Sequence, residues 1–138
     1  MGIRDAILKM SSAGTYFSGT VGTFESSWVD FGGAFDPSIG ETLFLNVQVN
    51  TAFADSTDGA TIVFNLVESD DAASWATLMQ LGPGLINASD NSPAIATAGT
   101  LLFRVPLPLG CERYLMFEGI TATQGHSAGL LDVWIDKD

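Results

Sequence analysis

Apolar and polar residues alternate with a period of two along much of this chain. The clearest segments are residues 42–50 (TLFLNVQVN), 61–69 (TIVFNLVES), 113–120 (RYLMFEGI) and 129–136 (GLLDVWID). Successive side chains of a β-strand point to opposite faces, so each segment is predicted to be a strand with one apolar face. Weaker segments of the same kind are 26–31, 75–81 and 99–107. Few stretches carry the 3.6-residue stripe of an amphipathic helix, which favours an all-β fold.

Clusters of Gly, Pro, Asn, Asp and Ser separate these segments, for example GGAFDPSIG, DSTDGA, LGPG and TQGHSAG. Short strands at a spacing of roughly 8–12 residues are typical of an antiparallel β-sandwich or small barrel. The chain of 138 residues has the length of one domain. Residues 1–20 are rich in Gly, Ser and Thr, and we expect them to form an extended arm or an irregular edge strand.

The segment RVPLPLG at residues 104–110 predicts a sharp corner. Pro106 and Pro108 have no backbone N–H for a sheet ladder, so the preceding strand should end there. Gly110 permits a reversal, after which the chain re-enters a sheet at Arg113. Such a corner suits a crossing between two packed sheets.

The alternation also predicts which side chains face the core. The inward set is Leu43, Leu45, Ile62, Phe64, Leu115, Phe117, Leu131, Val133 and Ile135. The outer face of an antiparallel sandwich is normally polar, yet large apolar residues fall on it. These outward residues are Phe44, Val63, Tyr114, Met116 and Trp134. Such side chains are enriched in protein interfaces, so we expect another subunit to cover them; swapped faces or a covering arm are the alternatives.

Composition narrows the class of partner. Hydrophobic residues make up 46% and charged residues 15%, which suggests that partners cover part of the surface. The net charge of −11 disfavours binding to nucleic acid. Cys111 is the only cysteine, which excludes an internal disulfide and a zinc site built from cysteines. No segment resembles a signal peptide or a membrane span, so a soluble protein made in a reducing cytoplasm is expected.

No constellation of residues predicts an enzyme, a metal site or a cofactor site. His126 is the only histidine and has no nucleophile elbow beside it. The carboxylates in ESDDAASW (68–75) suggest a glycosidase pair only weakly, because acidic residues also solvate turns. DSTDG (55–59) lacks the spacing of a calcium loop. Trp28, Trp75 and Trp134 are candidates for stacking on sugars or, alternatively, for burial.

Five segments follow one another along the chain: DAILKMSSA (5–13), ETLFLNVQVNTAF (41–53), GATIVFNLVESDDAASW (59–75), LPLGCERYLMFEGI (107–120) and SAGLLDVWIDKD (127–138). Taken in this order, they resemble the jelly-roll cement (decoration) proteins of short-tailed bacteriophage capsids. The Leu-Pro-Leu-Gly…Arg-Tyr-Leu step is the most specific of them. The resemblance does not account for GTVGTFESSW (19–28) or for the loop at Trp75.

The resemblance implies a non-enzymatic homo-oligomer, a dimer or trimer, bound to the outside of the virion head. There it would contact major capsid protein subunits and stabilise their lattice, without nucleic acid, membrane or cofactor. Oligomer contacts would involve the outward residues named above. Candidates for docking on the capsid are Ile3, Arg4, Phe17, Phe35, Asp55 and Trp75.

Two rival functions remain. A carbohydrate-binding, lectin-like jelly roll of a phage or bacterium would use Trp28 or Trp75. A sandwich glycosidase would use Glu68 with Asp70 or Asp71.

Overall fold

The computed structural model describes residues 9–16, 22–32, 42–54, 61–87, 98–108, 110–122 and 128–137. Regular structure in these residues consists of β-strands, as the sequence predicts. The strands are β1 (Lys9–Tyr16), β2 (Gly22–Glu25), β3 (Val29–Asp30), β4 (Leu43–Ala54), β5 (Thr61–Ser69), β6 (Ala76–Asn87), β7 (Leu101–Pro106), β8 (Tyr114–Ala122) and β9 (Ala128–Lys137).

The strands form two antiparallel sheets packed face to face. The four-stranded sheet has the order β1-β9-β4-β7. The five-stranded sheet has the order β2-β8-β5-β6, with β3 also beside β8. The prediction of an all-β fold with two stacked sheets is therefore confirmed.

The core lies between the two sheets and is built from the inward faces of their strands. Of the predicted inward residues, Leu43 is half-buried and packs against the core, and all the others are buried in it. Phe64 stacks on Phe117 of its own sheet at 5.5 Å between centroids. It also links the layers, because it meets Phe103 of the four-stranded sheet edge-on at 5.8 Å. Alternating apolar residues thus identified the buried face correctly.

The weaker strand predictions need correction in two places. Residues 26–31 do not form one strand, because residues 26–28 separate β2 from β3. There Ser26 Oγ accepts a hydrogen bond from Phe117 N (3.0 Å), so a side chain replaces a ladder carbonyl. Residues 82–84, expected to be a turn, lie inside β6, and the register with β5 shifts between Ile62 and Phe64. β6 is the last strand in the order of its sheet, and an irregular strand in that position tolerates Pro83, which has no N–H to donate.

The proline corner lies where the sequence predicts it. β7 ends at Pro106 in the four-stranded sheet, and Leu107 N then donates to Leu43 O (2.9 Å). Gly110 has a φ of +74°, and the chain enters the five-stranded sheet at Tyr114. The segment therefore carries the chain from one layer to the other.

Strand β1 covers all of the described part of the predicted arm, residues 9–16. It pairs with β9 at the end of the four-stranded sheet, and its register shifts twice. Residues 1–8 and 17–21 lie outside the described residues.

Gly129 is required by a close approach between β9 and the ring of Phe53. A Cβ at this position would lie 2.7 Å from the Phe53 ring, and the glycine has a φ of +153°. Phe53 is itself buried in the core. The ring thus occupies the volume that any other residue would need.

We expect Gly129→Ala to lower the free energy of unfolding by about 2 kcal/mol, because the new methyl group displaces the ring and strains the backbone. Urea denaturation measures the loss. Gly99→Ala is the matched control: its φ is +88° but nothing lies within 4 Å of the new Cβ. Its cost should be about 1 kcal/mol, from backbone strain alone. Equal losses in the two variants would show that the Phe53 contact is unimportant.

Candidate functional site

The outer face of the four-stranded sheet carries a buried polar cluster. Arg104 Nη1 donates to Asn46 Oδ1 (2.6 Å) and to Asp136 Oδ1 (2.9 Å). Asn46 Nδ2 also donates to Asp136 Oδ1 (2.9 Å), and Trp134 Nε1 donates to Asp136 Oδ2 (3.2 Å). The strand register brings these residues together from β4, β7 and β9. The cluster ties three neighbouring strands to one carboxylate.

The electrostatics of this cluster centre on Asp136, of which 6% is exposed. Burial acts to raise its pKa, but hydrogen bonds from Asn46, Arg104 and Trp134 outweigh that effect and hold the pKa below its usual value. The carboxylate therefore remains charged in the folded protein. Its bonds go to the protein's own donors, which indicates a structural role.

Two of the predicted oligomer-contact residues, Phe44 and Trp134, lie on this same outer face. The Arg104 guanidinium lies 4.3 Å from the centroid of the half-buried Phe44 ring. Trp134 is only 6% exposed in the single chain. A partner would gain little further burial from Trp134.

The outer face of the five-stranded sheet has a different character. Strand register places Val63 beside Ile120, and Val67 beside Met116. Ile120 is 38% exposed and Val63 is half-buried, so this pair forms an open aliphatic patch. Val67 and Met116 are each only 2% exposed, although neither belongs to the core cluster. Something on the outer face covers them.

Two tryptophans supply that cover. Trp28 precedes Val29, the register partner of Leu115, so it lies beside Met116. Trp75 precedes Ala76, the partner of Glu68, so it lies on the far side of β5. Their strands are about 14 Å apart, since adjacent strands are spaced by about 4.8 Å. The ring centroids are nevertheless 6.1 Å apart, so both side chains must lean across β8 and β5.

Trp28, but not Trp75, lines a recess at the surface. Trp28 is 53% exposed, whereas Trp75 is half-buried. Ser26, Ser27 and Trp28 line a recess of about 290 Å³. The Trp28 and Trp75 rings are tilted by 44° to each other, so Trp75 supports one side of the Trp28 ring and leaves the rest of that ring open. The exposed indole and the recess beside it form a candidate site for a small molecule.

A shallower groove of about 170 Å³ is lined by acidic and small residues: Glu68, Ser69, Asp70, Ser74, Ala76 and Glu112. The carboxylates in and beside this groove mainly accept hydrogen bonds from backbone N–H groups. Glu68 accepts from Glu112 N (3.0 Å). Asp71 accepts from Ser74 N (2.9 Å), Ala73 N (2.8 Å) and Ser69 Oγ (2.9 Å), and these bonds lower its pKa.

Tyr114 is held at one end of the five-stranded sheet by its neighbour Arg113. The Arg113 guanidinium lies 5.0 Å from the Tyr114 ring centroid. It also donates to both carboxylate oxygens of Asp30, at 2.7 and 3.0 Å. The bonds from Arg113, followed by that from Gly32 N, lower the pKa of Asp30 to about 2. Tyr114 is half-buried.

The other predicted sites fall mostly outside the described residues. These are Ile3, Arg4, Phe17, Phe35 and Asp55 of the capsid-docking set, together with His126. Within the described ranges, no group of three or more His, Cys, Asp or Glu side chains could hold a metal ion. Likewise, none of the described residues belongs to a helix long and apolar enough to cross a membrane.

Sequence reasoning missed two exposed apolar residues and one buried charge. Ile120 has the same strand parity as Tyr114 and Met116, so the alternation itself could have identified it. Leu101, 49% exposed, lies in an irregular strand where parity gives no clear signal. The burial of Asp136 depends on Asn46 and Arg104, which are distant in sequence.

No protein-family model matches the chain, and no curated protein matches it at a significant level. Functional inference therefore depends on the surfaces described above.

We expect Asp136→Asn to lower the free energy of unfolding at pH 7 by about 2 kcal/mol, because charge-assisted hydrogen bonds are lost. The pKa of Asp136 is lower in the folded protein than its usual 3.8, so the wild-type carboxylate stabilises the fold above that pH. This contribution disappears as the pH falls through the folded-state pKa. The variant should therefore lose less stability than wild type on acidification.

Urea denaturation at a series of pH values between about 2 and 7 measures both effects. Asp70→Asn, an exposed residue, removes the same charge and should change stability much less. An Asp136→Asn curve that parallels wild type at every pH would contradict the role of the cluster.

Proposed function

We propose that the chain is a jelly-roll decoration protein that binds the outside of a bacteriophage head as a homo-oligomer. The observation that carries this proposal is the nested order of strand pairing. β1 pairs with β9, β2 with β8, β4 with β7, and β5 with β6. Because β2 and β3 both pair with β8, they act as one interrupted strand.

With β2 and β3 counted as one strand, the described residues form eight strands. The first pairs with the last, the second with the seventh, the third with the sixth, and the fourth with the fifth. A long antiparallel ribbon with this pairing, wound into two layers, is a jelly roll. Successive paired segments would then alternate between the layers. The observed sheet orders agree with that alternation, since β1 and β4 lie in one sheet and β2 and β5 in the other.

The step from this fold to a capsid rests on the ordered sequence segments that resemble cement proteins. The most specific of them, residues 107–120, begins in the proline corner that connects the two layers. The net charge of −11 is compatible with docking on a basic or neutral shell. A protein that binds only the assembled, expanded lattice stabilises that lattice through its binding free energy. Many copies bound to one shell make the total effect large, without any catalytic group.

The exposed apolar residues indicate where copies would meet. Met116 and Trp134 are already buried in the single chain, so they contribute little new area. The Val63–Ile120 patch is open, and it lies in the middle of the five-stranded sheet, on β5 and β8. We place the main oligomer contact on this patch. Tyr114, six residues away from Ile120 at the other end of β8, and Phe44, beneath Arg104 on the other sheet, are secondary contacts.

If this patch joins the copies, Ile120→Asp should convert the dimer or trimer to a monomer, because a buried unpaired carboxylate is costly. Sedimentation equilibrium measures the mass. Leu101→Asp makes the same change at a similarly exposed residue of the other sheet and should leave the oligomer intact. A monomeric wild type, or dissociation by Leu101→Asp alone, would contradict the assignment.

The capsid function is tested by co-sedimentation of the purified protein with heads of the phage that encodes it. We expect binding to expanded heads and little binding to unexpanded precursors, because only the expanded lattice presents the complete site. Bound heads should also resist heating better than bare heads. A protein that sediments with neither form is not a decoration protein.

A further inference from the structure

Trp28 is the most exposed of the large apolar side chains that the structure describes, at 53%. An indole in contact with water forgoes the free energy that burial of its ring would supply. Its ring is nevertheless restrained, because the Trp75 ring lies 6.1 Å away and Ser26, two residues earlier, is bonded to Phe117 at both N and Oγ. An aromatic face that is both exposed and immobilised can bind a ligand with little loss of conformational entropy.

Polar groups beside the ring complete the candidate site. The recess of about 290 Å³ is lined by Ser26 and Ser27 together with Trp28. Ser27 is exposed, and Ser26 Oγ donates to Ser27 O (2.9 Å), which orders the turn. The volume lies near the lower end of the range for small-molecule pockets, about 300–1,000 Å³. It suits one sugar ring better than a helix or a strand.

Charge selects among possible small ligands. Glu25 is exposed three residues before Trp28, and the acidic groove containing Asp70 and Glu112 lies beside Ala76, next to Trp75. Together with the net charge of −11, these carboxylates repel phosphates and sulfates. They are, however, good acceptors for the hydroxyl groups of a neutral ligand.

A pyranose ring has the complementary chemistry. One of its faces carries C–H groups that pack on an indole through dispersion and burial, and its rim carries hydroxyl groups. We propose that Trp28, supported by Trp75 and flanked by Ser26 and Ser27, binds a neutral pyranose unit of a polysaccharide. This site is separate from the Val63–Ile120 patch and does not depend on the proposed capsid function.

Affinity electrophoresis tests the proposal on the complete protein. Native gels contain dextran, mannan, laminarin, galactan or hydroxyethylcellulose, with dextran sulfate as the anionic counterpart of dextran. We expect retardation by at least one neutral polysaccharide and none by dextran sulfate. Trp28→Ala should weaken the binding about tenfold or more, as truncation of a central tryptophan commonly does. Trp28→Phe should retain part of it.

Two further variants separate loss of the site from loss of the fold. Ser27→Glu crowds the recess with a charged side chain but keeps the indole, and it should also abolish retardation. Leu101→Ala truncates an equally exposed apolar side chain on the other sheet and should bind like wild type. Urea denaturation verifies that each variant is folded.

Absence of retardation of the wild type in every neutral gel would overturn the proposal. Equal retardation of wild type and a folded Trp28→Ala or Ser27→Glu variant would overturn it as well. Stronger binding to dextran sulfate than to dextran would contradict the charge argument.

Discussion

The fold depends on the burial of one apolar face from each sheet against the other. Leu45, Val133 and Ile135 from the four-stranded sheet face Phe64 and Phe117 from the five-stranded sheet, and all are essentially inaccessible to water. This contact removes the inner faces of both sheets from water. Because side chains alternate along a strand, it also determines which residues point outward and form the outer faces.

The two outer faces are stabilised in physically different ways. On the four-stranded sheet, a buried carboxylate is compensated by donors from three strands, as a charge in a poorly hydrated place must be. On the five-stranded sheet, an apolar strip is shielded by two tryptophans that lean over it from opposite sides. The first arrangement is fully satisfied within the chain. The second leaves one indole and one aliphatic pair open, and these are the surfaces available for binding.

Local alternation explains why much of the fold could be predicted from sequence. Strand β5 has the predicted bounds, and eight of the nine predicted inward residues are fully buried, because side-chain direction in a strand depends only on parity. Burial of Met116 and Trp134 could not be predicted in the same way. It depends on partners brought near by tertiary pairing, such as Asn46 and Asp136, which are 90 residues apart. Gly82 and Pro83 predicted a turn because both residue types are common in turns. β6 accommodates them through its pairing with the neighbouring strand, which the local sequence does not reveal.

The position of β9 within its sheet has a consequence for biosynthesis. This strand lies between β1 and β4, so the four-stranded layer lacks its centre until residue 137 has left the ribosome. Until then, the apolar faces of β4 and β5 have no complete layer to pack against. Nascent chains would therefore expose these strands together, and chaperone protection would limit their aggregation.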